Sequence, residues 1–583
     1  MRWLLRIDRT PRLMILSVFL GVVGALGAQV FLWMLDVGNR YLLEWISGYH
    51  PIDVAEAHLL GTAPALGHWF WLVPVATTLG GLLSGFIVYT WAPEAEGHGT
   101  DGAVKTFHRT AGRMRYRVPP IKALASAITI GSGGSGGREG PTAQIAAGVG
   151  AITGGLLKLP DAERRYLVLI GMAAGLSAIF KSPLGTAFFA VEILYSGMAF
   201  EGEALIFTLV ASAVAYGLTG LFDGWTPLFI LPKGVTFGQP LDVGWFIVLA
   251  VCAGVLGAIL PTVFYFIRDA FHRLKLPNQL KPAIGGLALG LIGIFVPQLL
   301  SGGYGYTQFA LQGGGGMALW LLFALSIGKV LALSLTISSG GSGGVFGPSL
   351  FVGALLGAAF ASLLHTVGIT GVNPSALAVV GMAALFAGAA RVPIASMLMV
   401  VEMTGGYDLI MPAMLAVTVS YLVQSFLTRN ARYPTLYEAQ VRSPVDSPAN
   451  LETYRRIVAD FLRERRVKVD MGMLDKHLDN ALEGGEGIPL LGGREHLVSL
   501  ALRAGTPVAG QEVRALGCRD VLIAGVLRGE KHIVPTGDTR LQVGDQLLVA
   551  GTREALERFR EQVASREDPA EAVLEVNETT EAR

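Results

Sequence analysis

The chain has 583 residues, of which 52% are hydrophobic and only 15% charged, with a formal net charge of +1. That balance gives no electrostatic footing for a nucleic-acid partner. A mean hydropathy of +0.52 and 76 glycines exclude an ordinary soluble enzyme and point to closely packed membrane helices, where small residues let backbones approach.

From the N-terminus, residues 13–35 form an uncharged run long enough to span a bilayer. Basic residues precede it, but no small-residue cleavage site follows, so it reads as a retained first helix. Further apolar runs lie at 69–92, 120–131, 141–157, 166–197, 203–222, 243–267, 281–300, 317–338, 348–365, 376–402 and 408–427. Some are too short to cross alone, and some are long enough to hold two pieces. Basic clusters occupy residues 2–12, 105–117, 268–281 and 429–442. The positive-inside rule assigns all four, and both termini, to the cytoplasm. Cys252 and Cys518 fall in different expected domains and read as two buried free thiols.

Two stretches are near copies. Residues 122–141 read KALASAITIGSGGSGGREGP, and residues 329–348, 207 positions later, read KVLALSLTISSGGSGGVFGP. Each is an apolar run, a glycine cluster, Gly-Pro and a second apolar run. That order describes a helix that stops inside the bilayer, a tight loop and a new helix starting there, the arrangement that marks substrate sites in transporters. The repeat continues. Gly171-Met172-Ala173-Ala174 matches Gly381-Met382-Ala383-Ala384, Pro183 matches Pro393, and Val191-Glu192 matches Val401-Glu402. A duplication therefore covers most of residues 120–430, with inverted and parallel arrangements both open at this stage.

Pro141 and Pro348 suit the first turn of a helix, where a missing N–H leaves no acceptor unpaired. The residues before them offer free N–H groups at the positive end of the helix dipole, which can hold a dehydrated small anion without any cationic side chain. Partial charges bind weakly enough for the ion to leave again. One residue breaks the symmetry: the first loop has Glu139 where the second has Phe346. A carboxylate there can occupy the anion's place, yield to the ion or take a proton, which makes Glu139 the candidate gate.

Charge rises sharply after residue 440: 44 of the last 143 residues are charged, against 45 of the first 440. The reading is a membrane body over 1–440, a helical linker over 441–487, a small α/β domain over 488–565 and a disordered acidic tail over 566–583. An amphipathic helix is expected at 451–466, strands at 496–502, 521–527, 532–534 and 546–550, and a helix at 554–562.

Gly137-Arg138-Glu139-Gly140-Pro141 and Gly344-Val345-Phe346-Gly347-Pro348 resemble two signature motifs of the CLC chloride channels and chloride/proton exchangers. Phe180-Lys181-Ser182-Pro183-Leu184 and Val401-Glu402-Met403-Thr404 resemble the same family, over roughly residues 10–440. The resemblance implies a polytopic all-α membrane fold of inverted repeats with broken, tilted helices, a homodimer with one pore per subunit in a prokaryotic inner membrane, and chloride as main substrate. It implies Glu139 as gating residue, with the anion held around Gly99, Gly137, Arg138, Gly140, Gly344, Val345, Phe346 and Gly347 and by Tyr437. Tyr433 is a weaker candidate for the tyrosine's role. No catalytic activity, cofactor or metal is expected.

Two departures from the family pattern stand out. Its first motif, usually Gly-Ser-Gly-x-Pro, reads Gly97-His98-Gly99-Thr100-Asp101 here, so His98 replaces an anion-binding serine and the proline is gone. His98 is expected to face the pore with an N–H donor. Ile193 follows Glu192 where exchangers often carry a proton-transfer glutamate, and isoleucine cannot relay a proton. Glu192 and Glu402, matched by the repeat, read as structural. This tilts the expectation to a passive channel, with proton exchange as the alternative and Glu201, Glu203 or a water chain as substitutes.

The segment from Val534 to Gly551 resembles the C-terminal regulatory module of TrkA/RCK potassium-transport proteins, with a small-molecule ligand as a possible partner. No Gly-x-Gly-x-x-Gly follows a strand in the tail, so dinucleotide binding is not supported. Gly303-Tyr304-Gly305-Tyr306 lacks the Thr-Val of a potassium filter, and neither glycine loop ends in the Gly-Lys-Ser/Thr of a phosphate loop.

Overall fold

The computed structural model describes residues 6–61, 69–239, 242–315, 317–444, 447–448, 488–489, 495–502, 506–516, 521–528, 531–533 and 535–563. The chain divides into two compact units, Met1–Ser447 and Pro448–Arg583.

The first unit is helical, and its two halves repeat helix by helix. The first half runs α1 (Arg9–Gly38), α2 (Val73–Trp91), α3 (Thr100–Arg109), α4 (Val118–Gly131), α5 (Glu139–Leu156), α6 (Asp161–Phe180), α7 (Pro183–Glu192) and α8 (Gly202–Asp223). The second runs α9 (Val243–Arg273), α10 (Lys281–Phe295), α11 (Tyr304–Leu311), α12 (Leu319–Ile337), α13 (Phe346–Thr366), α14 (Pro374–Ala390), α15 (Pro393–Thr404) and α16 (Ile410–Leu427). Helix n of the first half corresponds to helix n+8 of the second.

Among the described residues, seven helical segments are long and apolar enough to cross a membrane, whereas α4, α10, α14 and α15 are apolar but short. Phe19, Leu83, Phe266 and Phe426 stand exposed on the long helices, as lipid-facing side chains do. The long run at 166–197 breaks into α6 and α7 at Lys181, which takes a left-handed φ of 54° just before Ser182-Pro183. Its counterpart breaks identically at Arg391, φ 55°, before Val392-Pro393. A residue preceding X-Pro cannot continue a helix easily, so both breaks lie in the backbone chemistry.

Reciprocal contacts tie the halves. Glu192 at the end of α7 accepts the N–H groups of Ile394 (3.2 Å) and Ala395 (2.7 Å) at the start of α15. Glu402 at the end of α15 accepts Leu184 N–H (3.2 Å), Gly185 N–H (2.8 Å) and the Ser182 hydroxyl (2.5 Å) at the start of α7. Each carboxylate caps the other repeat's helix and satisfies donors with no intrahelical partner. Gly137 and Gly344, equivalent in the two loops, pair in antiparallel fashion. Equivalent segments running in opposite directions across one point place the pseudo-twofold axis of the inverted repeat there.

The second unit holds a five-stranded antiparallel sheet in the order β1-β2-β5-β3-β4, from β1 (Ile488–Pro489), β2 (Glu495–Ala501), β3 (Val521–Arg528), β4 (Lys531–Ile533) and β5 (Gln546–Thr552). The helix α17 (Arg553–Val563) packs Leu556 and Phe559 with Val498, Leu500, Val526, Leu547 and Val549 of the sheet. Buried Asp545 takes both Arg528 nitrogens at 2.8 Å, closing the turn before β5. The expected helix at 451–466, the acidic tail at 566–583 and Cys518 lie outside the described residues. Cys252 is a free thiol but is exposed, against the expected burial, because it stands on the outer side of α9.

Candidate anion pathway

Both glycine loops meet at the centre of the first unit. Gly137 N–H donates to Gly344 O (2.7 Å) and Gly344 N–H to Gly137 O (2.6 Å). A third loop joins them: Gly97 N–H donates to Gly341 O (3.1 Å) and Gly343 N–H to Gly97 O (3.3 Å). This corrects one expectation. The N–H groups of Gly137 and Gly344 are committed to each other and are not available to an anion. Those two residues brace the loops, and the N–H groups at the start of α13, from Val345 onward, are the ones left without an intrahelical acceptor.

Glu139, first residue of α5, does not face solvent: it is 1% exposed. Its carboxylate lies across the axis at the start of α13. Oε2 accepts Gly347 N–H at 3.3 Å, and Oε1 accepts the Tyr304 hydroxyl. An acidic side chain therefore sits where the helix dipole and free amides favour negative charge. Glycines make the seat: a Cβ on Gly137 would stand 2.0 Å from Glu139 Oε2, and one on Gly347 would stand 2.8 Å from Glu139 Oε1. The Arg138 guanidinium lies over the Tyr304 ring, 4.7 Å from its centroid.

Below the seat, His98 and Tyr437 pack ring edge to face at 5.2 Å. Both are buried, and neither His98 Nδ1 nor the Tyr437 hydroxyl has a hydrogen-bond partner of normal geometry, although Thr100 lies beside the hydroxyl. The Tyr437 hydroxyl is a donor, and His98 Nδ1 is one in its Nδ1–H tautomer, so this pair of buried groups suits an anion. Tyr433 instead stacks on Tyr265 at 4.2 Å under Arg268. Phe346 turns its ring to Phe386 (4.3 Å) and Phe180 (4.6 Å). Gly99 takes φ +83° at the start of α3, and a Cβ there would meet Gly140 O at 2.4 Å. Gly99 and Gly140 thus let the loops close.

A cavity of about 480 Å³ leads to His98. Lys105, Arg113, Arg115, Arg268 and His272 line it, together with Glu94, Glu96 and Asp101. The basic residues belong to two of the four basic clusters, and Arg115 and Arg268 are paired with Glu94 and Glu438. Among the described residues, no cluster of His, Cys, Asp and Glu could hold a metal ion.

A sequence model of the family described as "Voltage gated chloride channel" matches residues 80–425. The chain belongs to that family. A Ralstonia nicotianae protein carrying a ClcB-like chloride channel name is 32% identical to this CLC chain over 416 residues, covering 69% of this chain and 91% of that protein. The Salmonella arizonae "H(+)/Cl(-) exchange transporter ClcA" is 30% identical over 454 residues, 75% of this chain and 90% of that protein. Among solved structures, a slow cyanobacterial Cl-/H+ antiporter aligns with TM-score 0.62 at 24% identity, covering 73% of this chain and 96% of that one. A CLC-type fluoride/proton antiporter aligns with TM-score 0.60 at 21% identity, covering 74% and 98%. The TrkA-C domain model matches residues 497–564.

Sequence reasoning missed two features of this CLC site. Tyr304 was visible only as part of a rejected potassium-filter motif, because its partner Glu139 is 165 residues away. Lys122 and Lys329 head the two repeat copies and are fully buried. Lys122 Nζ donates to Ala95 O (3.0 Å) and Gly97 O (2.7 Å), and Lys329 Nζ donates to Leu299 O (3.0 Å) and Ser301 O (2.7 Å). Their matched places in the repeat were the available signal. Each lysine fastens the strand of chain that enters a short helix, α3 or α11.

Tyr304→Phe removes one hydrogen bond to the Glu139 carboxylate, a loss of about 1.5 kcal/mol that corresponds to roughly tenfold easier displacement. Calorimetry of the variant is expected to show chloride competing that much better for the site. Unaltered affinity would count against Tyr304 as the residue holding the gate.

Proposed function

We propose that this protein exchanges chloride for protons across a membrane through one pathway gated by Glu139. The observation that carries the reading is the Glu139 carboxylate seated on the amide end of α13, held by Gly347 N–H and the Tyr304 hydroxyl. The names of the Salmonella relatives support exchange over the passive channel suggested by Ile193. The capping role of Glu192 accords with its expected structural part, so its carboxylate is not spare for proton transfer.

In this mechanism chloride enters from the basic cavity and rests between the His98 Nδ1–H, the Tyr437 hydroxyl and the Val345 and Phe346 amides. It then competes with Glu139 for the seat at α13. A proton on Glu139 neutralises the carboxylate, weakens its hold on the amides and frees the seat. Chloride and proton alternate because one place serves both the anion and the charged side chain. The protein works as a homodimer in a prokaryotic inner membrane with both termini cytoplasmic, an orientation supported by the basic clusters. The TrkA-C-like unit serves as a cytoplasmic regulatory module that takes a small ligand.

The test is a chloride gradient imposed across liposomes containing the purified protein, with external pH recorded under voltage clamp by an ionophore. Uphill proton movement in fixed proportion to chloride is expected. Chloride flux without proton movement would restore the channel reading.

A further inference from the structure

Exchange needs a route by which protons reach Glu139 from the cytoplasmic side, and Ile193 cannot serve. The carboxylates near the inner face are mostly engaged. Glu192 caps a helix, Glu201 accepts the Tyr195 hydroxyl, and Glu203 accepts Arg9 and the Tyr166 hydroxyl. Glu94 pairs with Arg115, Glu96 lies against Tyr89, and Glu438 pairs with Arg268.

Asp101 differs. It sits in the first turn of α3, three residues after His98, in the motif position where the family's proline is missing. It lines the same basic cavity through which the anion approaches. Only Oδ1 has a partner, accepting Ala439 N–H at 2.8 Å. Ala439 is two residues from Tyr437, and the Tyr437 hydroxyl lies within electrostatic reach of both Asp101 and Glu139. That hydroxyl is buried and without a partner of normal geometry.

We propose that Asp101 is the inner proton acceptor, loading from cytoplasmic water in the anion's own vestibule and delivering to Glu139 past the Tyr437 hydroxyl. The inference rests on the exchange reading. An O–H bond of a hydronium in the vestibule breaks as the proton forms an O–H bond on the free Oδ2, releasing water, and that second bond breaks in turn as one forms on the Glu139 carboxylate. The charged and titratable groups around Asp101 are Arg109, Arg268, Glu438, Tyr265 and Tyr437, with His98 and Lys105 on the cavity wall. A proton on Asp101 removes a negative charge from the anion's entrance.

The test measures proton and chloride flux together in liposomes for the full chain, Asp101→Asn, Asp101→Glu and Glu201→Gln. Asparagine keeps Oδ1 as acceptor for Ala439 N–H, so the structural contact survives the change. Asp101→Asn is expected to conduct chloride while protons moved per chloride fall at least about tenfold. Asp101→Glu is expected to recover coupling, and Glu201→Gln to retain it. An Asp101→Asn protein with the parental proton-to-chloride ratio would overturn the assignment, as would one in which both fluxes fall together. If the parental chain itself moves no protons, the exchange reading fails and this assignment with it. If the parental chain pumps and Asp101→Asn pumps equally, only this assignment fails.

Discussion

Glu139→Gln is expected to abolish proton movement while chloride continues to flow. Glutamine has nearly the same shape, so the seat formed by Gly137, Gly347 and Tyr304 still accommodates it. It carries no charge, so the amides at the start of α13 no longer favour it over a halide, and the anion wins the competition permanently. It cannot take up and release a proton, so the step that ties the two fluxes is gone. Proton flux should fall at least about a hundredfold, the scale at which removal of a required acid–base group is felt. The pH dependence of chloride flux should flatten in the same variant. Proton pumping at the parental ratio would remove Glu139 from the mechanism.

Gly140→Ala is expected to be nearly as damaging, for a purely steric reason. A Cβ at Gly140 would lie 1.9 Å from the carbonyl oxygen of His98 and 2.9 Å from Gly344 Cα. Both neighbours are backbone, so no side chain can rotate away to relieve the overlap. The three loops would have to separate, breaking the Gly137–Gly344 pair and moving His98 away from Tyr437. Overpacking of this kind typically costs about 1–3 kcal/mol, and here it falls on the site itself. Chloride flux should drop to background while the helical circular dichroism of the detergent-solubilised protein persists. Parental flux would mean that the loops can part without harm, against the close fit described above.

Much of this site was legible because the duplication writes it twice. The paired glycine loops, the Gly-Pro helix starts and the odd carboxylate at Glu139 are local patterns, and local backbone chemistry carries them into three dimensions. The breaks after Lys181 and Arg391 are local too, written as a residue before X-Pro. What escaped were long-range choices. The amides of Gly137 and Gly344 looked free because each loop, taken alone, has no acceptor for them; only the fold brings in the other loop. Tyr304 looked idle because nothing nearby in sequence announces Glu139. The short helices α3 and α11 escaped the list of apolar runs, since TDGAVKTFHR does not read as a membrane segment. They are held by buried Lys122 and Lys329, charges that hydropathy alone would place in water.

The direct test of the account is where a halide sits. Crystals grown in bromide, with data collected at the bromine absorption edge, are expected to show an anomalous peak between the His98 and Tyr437 side chains and the Val345–Phe346 amides. In Glu139→Gln a second peak should occupy the seat beside Gly347 that the carboxylate vacates. Bromide bound elsewhere, or an empty seat in that variant, would contradict the idea that Glu139 and the anion compete for one place.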